Sequence, residues 1–338
     1  MKIKIALCGL PNSGKSTFIK LVSQVEVLTA PYPFTTLKAQ EYAAPIISQE
    51  LKILHSITQT PQIISPYLIF VDVPGLIRGA HKGEGLGNEF LSYLRGCDII
   101  LEIVRNFKRE DVPHPEGGID PLRDIKIIEE EVRLADEEIL KRAKKGKIQP
   151  EALLLNKDWF LLVNGEDADD IYPNNNRIKY PNEEPNKNSK FGQYSGNSFG
   201  QHSGSDVSPR RSAFFKNIYT LDLLWELEIL ENKELQNEFQ PKVFEFLNQF
   251  RKDLGLIQFF TFTKEITQGW FIKKDSPIID AAGMIHSDFA LKFKVAETIS
   301  LENFVKIEDW EKAKKLGLIK NKGREAKIEE NEIIFVKI

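Results

Sequence analysis

The sequence predicts an α/β fold in which a mostly parallel β-sheet is flanked by helices and a small β-rich domain follows. Three observations support this prediction. An alternating apolar strand at 2–8 leads directly into a glycine-containing loop at 9–16, and a helical pattern follows it. A second apolar strand, at 67–71, ends at the acidic residue Asp72. Short β-type segments recur between 256 and 338.

The composition excludes several classes of protein. The chain has 338 residues, of which 41% are hydrophobic and 28% charged, as expected for a globular protein of two or three domains. No apolar run reaches the roughly 20 residues of a membrane span, and the N-terminal segment is a charged strand, not a signal peptide. Cys8 and Cys97 lie in apolar surroundings, which indicates reduced thiols and a cytoplasmic location. The net charge of −3 gives no overall signal for nucleic-acid binding, and no DNA specificity is evident. An RNA partner would therefore have to bind a local basic surface.

The loop at 9–16 reads Gly-Leu-Pro-Asn-Ser-Gly-Lys-Ser and matches the phosphate-binding pattern GxxxxGK[ST]. Its glycines let backbone N–H groups turn toward a polyphosphate, and the N-terminus of the following helix adds a favourable dipole. Lys15 is expected to reach the β- and γ-phosphates, and the Ser16 hydroxyl to ligate Mg²⁺. The other predicted nucleotide contacts in this loop are Asn12, Ser13, Gly14 and Thr17. The sequence therefore predicts a nucleoside triphosphate site.

Two further segments carry residues suited to sensing the γ-phosphate. The DxxG segment Asp72-Val73-Pro74-Gly75 follows a strand, so Asp72 is able to hold the Mg²⁺ shell while the Gly75 N–H contacts the phosphate. Between the two motifs, the segment at 32–36 (Tyr-Pro-Phe-Thr-Thr) is the expected position of the threonine that completes the Mg²⁺ shell; Thr36 is the first candidate and Thr35 the second. The predicted catalytic residues are Lys15, Thr36 and Gly75, and the predicted metal ligands are Ser16, Thr36 and Asp72.

The strand at 159–163 runs into Asn164-Gly165-Glu166-Asp167, where guanine-binding proteins carry N-K-x-D. In that motif the Asp accepts two hydrogen bonds from guanine and the Asn supports the loop. Asn164 and Asp167 are therefore the predicted base-site residues. A similar run, Asn156-Lys157-Asp158, lies before the strand and has Trp159 where the motif needs Asp, so we discount it.

The remaining segments differ in composition. Asp120-Pro121 opens a long amphipathic helical pattern whose basic end, at 141–147, we interpret as a solvated helix C-terminus, with RNA contact as the alternative. A strand is expected at 218–224. The predicted division is a nucleotide-binding domain at 1–119 and 151–254, a helical insertion at 120–150, a disordered low-complexity insertion at 173–212 and a C-terminal domain at 255–338.

The spelling of these motifs resembles one family. GLPNSGKST at 9–17, YPFTT at 32–36 and the segment DVPGLIRGAHKGEGLGNEFLSYLRGCDII at 72–100 are similar to the Obg-related P-loop NTPases. Within the last segment, KGEGLGN indicates the YchF/Obg-like ATPase branch. AAGMIHSDFALKFKVAET at 281–298 resembles the TGS domain at the C-terminal end of that branch. The expected fold is thus a P-loop NTPase domain followed by a TGS-like domain.

The resemblance implies a switch-like NTPase with slow intrinsic turnover. Leu76 stands where Ras-like enzymes carry the glutamine that orients the attacking water, and a leucine side chain forms no hydrogen bond. Asn12 matches an asparagine associated with K⁺ in related proteins, with a local turn bond as the alternative. The family pattern favours ATP and Asp167 favours GTP; we favour ATP. The resemblance also implies ribosome or RNA association. Basic residues that permit it in the C-terminal domain are Lys292, Lys294, Lys312, Lys314 and Lys315.

Two departures from the family pattern support a second hypothesis. Gly165 lacks the lysine stem that packs on a base, and 219–224 shows none of the small residues that relatives use in the last base-binding loop. The alternative is therefore a degenerate nucleotide-binding or RNA/ribosome-binding protein with little or no turnover. The run at 285–289 suggests catalysis by His286, but no nucleophile accompanies it, and a helix capped by Asp288 with a packed Phe289 is the favoured interpretation.

Overall fold

The computed structural model describes residues 3–23, 41–73, 86–144, 153–165 and 214–338. In chain order the strands are β1 (Lys4–Cys8), β2 (Glu41–Pro45), β3 (Gln62–Ile64), β4 (Tyr67–Asp72), β5 (Ile99–Arg105), β6 (Asp158–Asn164), β7 (Phe215–Leu221), β8 (Leu256–Phe262), β9 (Ile266–Lys273), β10 (Val295–Ser300), β11 (Lys320–Lys322) and β12 (Glu332–Lys337). The helices are α1 (Lys15–Ser23), α2 (Gln49–Thr58), α3 (Leu86–Gly96), α4 (Pro121–Lys144), α5 (Leu223–Glu231), α6 (Lys233–Glu238), α7 (Val243–Asp253), α8 (Ile278–Ile285), α9 (Ser287–Leu291), α10 (Leu301–Val305) and α11 (Trp310–Lys315).

The first sheet has the strand order β2-β4-β1-β5-β6-β7 within the described ranges, and every pair except β2–β4 is parallel. This is the mostly parallel sheet that the sequence predicts. Because the central strands are parallel, their carboxyl ends meet at one edge, the usual position of a ligand site in such folds. The register aligns Leu7 with Asp72, and Arg105 with Asn164. Segments far apart in the chain are therefore brought together at this edge.

Helices cover both faces of the first sheet. α1 and α7 bury Phe18, Phe246 and Phe250 against one face, where the aromatic rings make edge-to-face and stacked contacts. α3 and α4 bury their apolar sides against the other face, and Ile128 and Val132 of α4 lie in the same cluster as residues of β5 and β6. The first turns of α4 are thus part of the packing of this sheet. The assignment of 120–150 to a separate insertion stays a prediction.

The second sheet, with the order β11-β10-β12-β8-β9-β3, takes one strand from the N-terminal half of the chain. β3 pairs in parallel with β9, and the hydroxyl of Thr267 lies 2.6 Å from that of Thr58 and 2.9 Å from that of Thr60. α2 buries Leu51 and Leu54 in a cluster formed mainly by C-terminal residues. Sequence analysis missed this segment because β3 is only three residues long and its partner lies about 200 positions away.

Several element boundaries differ from the expected ones. β7 ends at Leu221 and not at 224, because Asp222 caps α5: its Oδ1 accepts hydrogen bonds from the N–H groups of Leu224 and Trp225, each at 3.1 Å. The run at 285–289 lies where α8 ends and α9 begins, and the cap of α9 is His286, not the expected Asp288. The His286 ring Nδ1 accepts from the Asp288 N–H at 3.1 Å, which gives this histidine a structural role.

Four further expectations concern Asn156, the low-complexity stretch, the two cysteines and membrane-spanning helices. Asn156, which sequence analysis discounted, lies in a short 3-10 turn before β6, at the opposite end of this strand from Asn164. The low-complexity stretch at 173–212 lies outside the described residues. Cys8 and Cys97 are buried free thiols. In the part of the chain that the structure describes, no helix combines the length and apolar character needed to cross a membrane.

The attachment of α2 to the C-terminal sheet predicts a stability effect. Leu54 is fully buried, so Leu54→Ala is expected to lower the free energy of unfolding by about 2–5 kcal/mol. Ile53, its neighbour on α2, is 36% exposed, and Ile53→Ala is expected to change stability by about 0.5 kcal/mol or less. Chemical denaturation of both variants checks this; equal effects would show that α2 is not anchored as described.

Candidate nucleotide-binding site

The phosphate-binding loop lies between β1 and α1, at the carboxyl edge of the first sheet. α1 starts at Lys15, so the N–H groups of its first turn have no acceptor within the helix and are available to an anion. Gly14 has φ +111°, and a Cβ there would lie 2.3 Å from Asn164 Nδ2. Only glycine fits this position, because both its backbone conformation and its close neighbour exclude a side chain.

Asn12 is exposed and adopts a left-handed conformation with φ +65°. Its Nδ2 donates a hydrogen bond to the Pro113 carbonyl at 2.9 Å. This is not the local turn bond that sequence analysis left as the alternative to K⁺ coordination, because its partner comes from the loop after β5. The Ser13 N–H closes the turn by donating to the Leu10 carbonyl at 3.3 Å.

Lys15 and Asp72 form the charged part of the site. Lys15 is only 8% exposed, and its Nζ donates to the carbonyls of Gly9 and Leu10, each at 2.9 Å. Burial lowers the pKa of Lys15, and the nearby Asp72 carboxylate partly opposes this. Burial raises the pKa of Asp72, which the charge of Lys15 offsets in part. The charges of Lys15 and Asp72 therefore act on each other, and both residues lie at the carboxyl edge of the sheet, where the P-loop and DxxG motifs predict them.

Asn164 connects the P-loop to the segment after β7. Its Nδ2 donates to the Ser13 carbonyl at 3.0 Å, and its Oδ1 accepts from the Leu223 N–H at 3.1 Å. The side chain is buried and both of its polar ends are used in these bonds. Asn164 therefore supports the site, in the role that the Asn of N-K-x-D plays.

Gly165 departs from the lysine of N-K-x-D for a steric reason. It has φ +153°, and a Cβ there would lie 2.3 Å from the Asn106 carbonyl oxygen. The backbone is held in place because the Gly165 N–H donates to the Leu221 carbonyl at 3.0 Å and the Asn106 N–H donates to the Asn164 carbonyl at 2.8 Å. No side chain fits between these strands, so a lysine stem is excluded at this position.

The last predicted base-binding loop is a tight helix start. Asp222 uses its carboxylate to cap α5, and the Leu223 side chain is fully buried in the core. Leu224 lines an open cleft of about 530 Å³ together with Arg109 and the outer side of α5. The absence of small residues that sequence analysis noted is thus explained: a capped turn takes the place of a small-residue turn.

The predicted site residues fall into two groups. The described ones converge at the carboxyl edge of the first sheet: Asn12, Ser13, Gly14, Lys15, Ser16, Thr17, Asp72 and Asn164. Ser16 is exposed in the first turn of α1. Thr35, Thr36, Gly75, Leu76 and Asp167 lie outside the described residues, and their roles stay predictions.

Sequence analysis did not select Glu102, which lies on β5 behind the P-loop. It is fully buried, and neither of its carboxyl oxygens has a hydrogen-bond partner among the described residues. Burial, reinforced by Glu129 and Asp124, raises the pKa of Glu102 well above its ordinary value. A sequence signal for Glu102 was present: it is the one acidic residue in the otherwise mostly apolar strand Ile-Ile-Leu-Glu-Ile-Val-Arg.

Comparisons with known proteins agree with this geometry. Residues 4–157 match the MMR_HSR1 family model, described as "50S ribosome-binding GTPase", and residues 256–338 match YchF-GTPase_C, described as "Protein of unknown function (DUF933)". Obg-like ATPase 1 of Gallus gallus is 31% identical over 368 residues, covering 99% of this chain and 92% of that protein. The Obg-like ATPase homolog of Schizosaccharomyces pombe is 32% identical over 360 residues, covering 99% and 88%.

A solved structure shows the same fold. The Schizosaccharomyces pombe YchF GTPase superposes with a TM-score of 0.74 at 22% identity, covering 99% of this chain and 98% of that one. Fold and site together define a P-loop protein that binds and hydrolyses nucleotides. More specifically, its similarity to curated relatives over nearly the whole chain shows that it belongs to the YchF/Obg-like ATPase family.

The close contact at Gly165 predicts that restoring the lysine of N-K-x-D is harmful. Gly165→Lys is expected to lower the free energy of unfolding by about 1–3 kcal/mol and to weaken nucleotide binding, because the new Cβ would overlap the Asn106 carbonyl. Thermal unfolding and calorimetric titration measure both effects. Gly96→Ala is the control, since nothing lies within 4 Å of a Cβ built there. Tighter nucleotide binding by Gly165→Lys would contradict this geometry.

The buried Glu102 carboxyl predicts a pH-dependent loss of stability. The unfolded chain releases this proton near the ordinary pKa of 4.5, whereas the folded chain retains it to a higher pH. Above pH 4.5 the unfolded state therefore binds fewer protons, and stability falls as pH rises toward the folded-state pKa. Glu102→Gln is expected to be more stable than the wild type at pH 8, because the glutamine has no proton to release on unfolding. The advantage should shrink toward pH 5. Denaturation at both pH values tests this, with the exposed Glu130→Gln as control; an unchanged pH profile would refute it.

Proposed function

We propose that this protein binds ATP in preference to GTP, hydrolyses it slowly with Mg²⁺, and uses its nucleotide state to control association with the ribosome or another RNA partner. The observation that carries this proposal is the phosphate-binding loop at the end of β1, with a buried Lys15 whose ammonium group donates to the loop carbonyls of Gly9 and Leu10. Buried free thiols at Cys8 and Cys97 support a reducing, cytoplasmic setting.

Lys15 is prepared to bind phosphate. Its ammonium group now donates to two loop carbonyls, and its burial makes the charged form costly. A triphosphate in the loop would give the ammonium group an anionic acceptor and so compensate that cost. The free N–H groups at the start of α1 would bind the same phosphates.

The residues near the loop suit a Mg²⁺ ion. The Ser16 hydroxyl is exposed at the start of α1, and the Asp72 carboxylate is half-buried at the end of β4. These are hard oxygen donors of the kind that Mg²⁺ prefers. When bound, Mg²⁺ neutralises negative charge on the phosphate oxygens. Thr36 and Gly75 are proposed to complete the site, and Asn12 is proposed to coordinate K⁺.

The rate and the base preference rest on the family and on single residues. Relatives named Obg-like ATPases support ATP, whereas the family model that matches 4–157 is described as a GTPase. Leu76 supports slow turnover, because nothing at that position orients the attacking water. The capped turn at Asp222 favours the second candidate function, a nucleotide-regulated binding protein with little or no turnover.

The C-terminal region is proposed as the TGS-like, partner-binding domain. The description "50S ribosome-binding GTPase" belongs to the family model that matches 4–157 and supports a ribosomal partner for the chain. Lys312 and Lys315 are exposed on α11 and available to phosphates. Lys314 instead pairs with Glu297 at 2.9 Å, and this carboxylate raises the pKa of Lys314. The basic surface is therefore smaller than the sequence suggests.

Calorimetric titration with ATPγS and with GTPγS, in Mg²⁺ and K⁺, tests the nucleotide proposal. We expect the wild type to bind ATPγS more tightly, and Lys15→Ala to lose at least tenfold in affinity while it keeps its thermal unfolding temperature. Lys20→Ala is the matched control, because this exposed lysine of α1 pairs with Glu231. Preference for GTPγS would overturn the ATP assignment. Binding of neither nucleotide would make the RNA- or ribosome-binding protein the better hypothesis.

A further inference from the structure

Asn12 holds an unfavourable backbone conformation with help from outside the P-loop. A left-handed conformation costs free energy for any residue except glycine, and asparagine tolerates it better than most. The conformation at Asn12 sets the direction of the N–H groups that follow it, and these are the groups that face an anion in such a loop. The hydrogen bond from Asn12 Nδ2 to the Pro113 carbonyl, at 2.9 Å, fixes this side chain.

The loop that supplies the Pro113 carbonyl has little core of its own. Its residues 106–113, which follow β5, are exposed or half-buried, and the next anchored residue is His114, whose ring lies 2.8 Å from the Asp124 carboxylate. Packing alone therefore does not fix the position of this carbonyl. The Pro113 carbonyl orients Asn12 only while it stays within hydrogen-bonding distance, so the loop must have a defined shape.

Hydrogen bonds from Arg105, the last residue of β5, give the loop a defined shape. Its side chain is buried and spans the loop: Nε donates to the Phe107 carbonyl at 3.1 Å, Nη1 to that of Val112 at 3.0 Å, and Nη2 to that of Arg109 at 3.3 Å. The guanidinium carbon also lies 4.4 Å from the centre of the Phe107 ring. A lysine has one nitrogen and cannot reach these carbonyls together, whereas the planar guanidinium has five donors in a fixed arrangement.

The position of Arg105 gives it a counterpart on the adjacent strand. The register aligns Arg105 with Asn164, and the Asn164 side chain holds the carbonyl of Ser13. Asn164, at the end of β6, thus holds Ser13 directly. Arg105, at the end of β5, holds Asn12 through the 106–113 loop.

We propose that Arg105 is a positioning residue of the nucleotide site, which acts through the Pro113 carbonyl to keep Asn12 and the P-loop in the conformation that binds a triphosphate. This inference rests on the proposed function and adds a residue to it that neither the P-loop nor the DxxG motif contains. The hydrogen bonds of Arg105 go to carbonyls of the loop, so its effect on the nucleotide is assigned to Asn12.

The test is a double-mutant cycle in the full chain. Affinity for ATPγS and GTPγS is measured calorimetrically, in Mg²⁺ and K⁺, for the wild type, Arg105→Lys, Asn12→Ala and the double variant. We expect each single substitution to weaken binding about tenfold, the equivalent of one well-made hydrogen bond, and the double variant to be no weaker than either. Arg133→Lys, an exposed arginine on α4, is the control and is expected to bind like the wild type.

Three results would overturn the proposal. Wild-type affinity in Arg105→Lys excludes a positioning role. Additive losses in the double variant show that Arg105 acts by general stability and not through Asn12. Failure of the wild type itself to bind either nucleotide refutes the proposed function and this inference together, which distinguishes it from the first two results.

A second measurement covers the case in which Arg105→Lys does not fold. Arg105→Gln keeps a planar donor group that fits the same space, and hydrogen exchange is followed in the absence of nucleotide. The amide hydrogens of the P-loop at 12–14 are expected to exchange several-fold faster in this variant, while those of β1 and β6 stay protected. Unchanged exchange at 12–14 would overturn the proposal without any binding experiment.

Discussion

The site depends on the side chain of Asn164, which joins three parts of the chain that lie far apart in sequence. It holds the Ser13 carbonyl and the Leu223 N–H, and its own backbone carbonyl accepts a hydrogen bond from Asn106. These groups are buried, and leaving one unpaired costs roughly 1–3 kcal/mol. Gly14 is a further consequence, because the amide of Asn164 occupies the space that a side chain there would need. A single buried amide therefore connects the P-loop to the start of α5.

A second constraint connects this site to the C-terminal sheet. β4 carries Asp72 at its carboxyl end, and only two residues separate its amino end from β3, which belongs to the second sheet. At this junction Pro66 packs closely on Gly269: a Cβ built on Gly269 would lie 2.8 Å from Cδ of Pro66. A cavity of about 260 Å³, lined by residues of both sheets, lies beside it. The strand that presents Asp72 is thus anchored at its other end in the C-terminal region.

The polar residues beneath the P-loop stand out in an otherwise apolar sheet. Lys15 and Arg105 are buried cations whose hydrogen bonds go to backbone carbonyls, and His114 lies 2.8 Å from the Asp124 carboxylate. Glu102 has no such partner among the described residues, and burial raises the pKa of its carboxyl, which favours the uncharged form. Buried charges persist only where hydrogen bonds or counter-charges compensate their loss of hydration. Their concentration under one loop fits a site that must keep its shape before an anion enters it.

The sequence by itself determined the local features: the P-loop between β1 and α1, Asp72 and Asn164 at strand ends, and the mostly parallel sheet. The site features follow from residues within a few positions of one another, and the sheet type follows from the alternation of strands and helices along the chain. The tertiary structure decided the rest. Membership of β3 in the second sheet, the steric need for Gly165 and the bonds of Arg105 to its loop depend on the folded chain. Most of these partners meet only when the strands align in register, and no local pattern encodes that alignment.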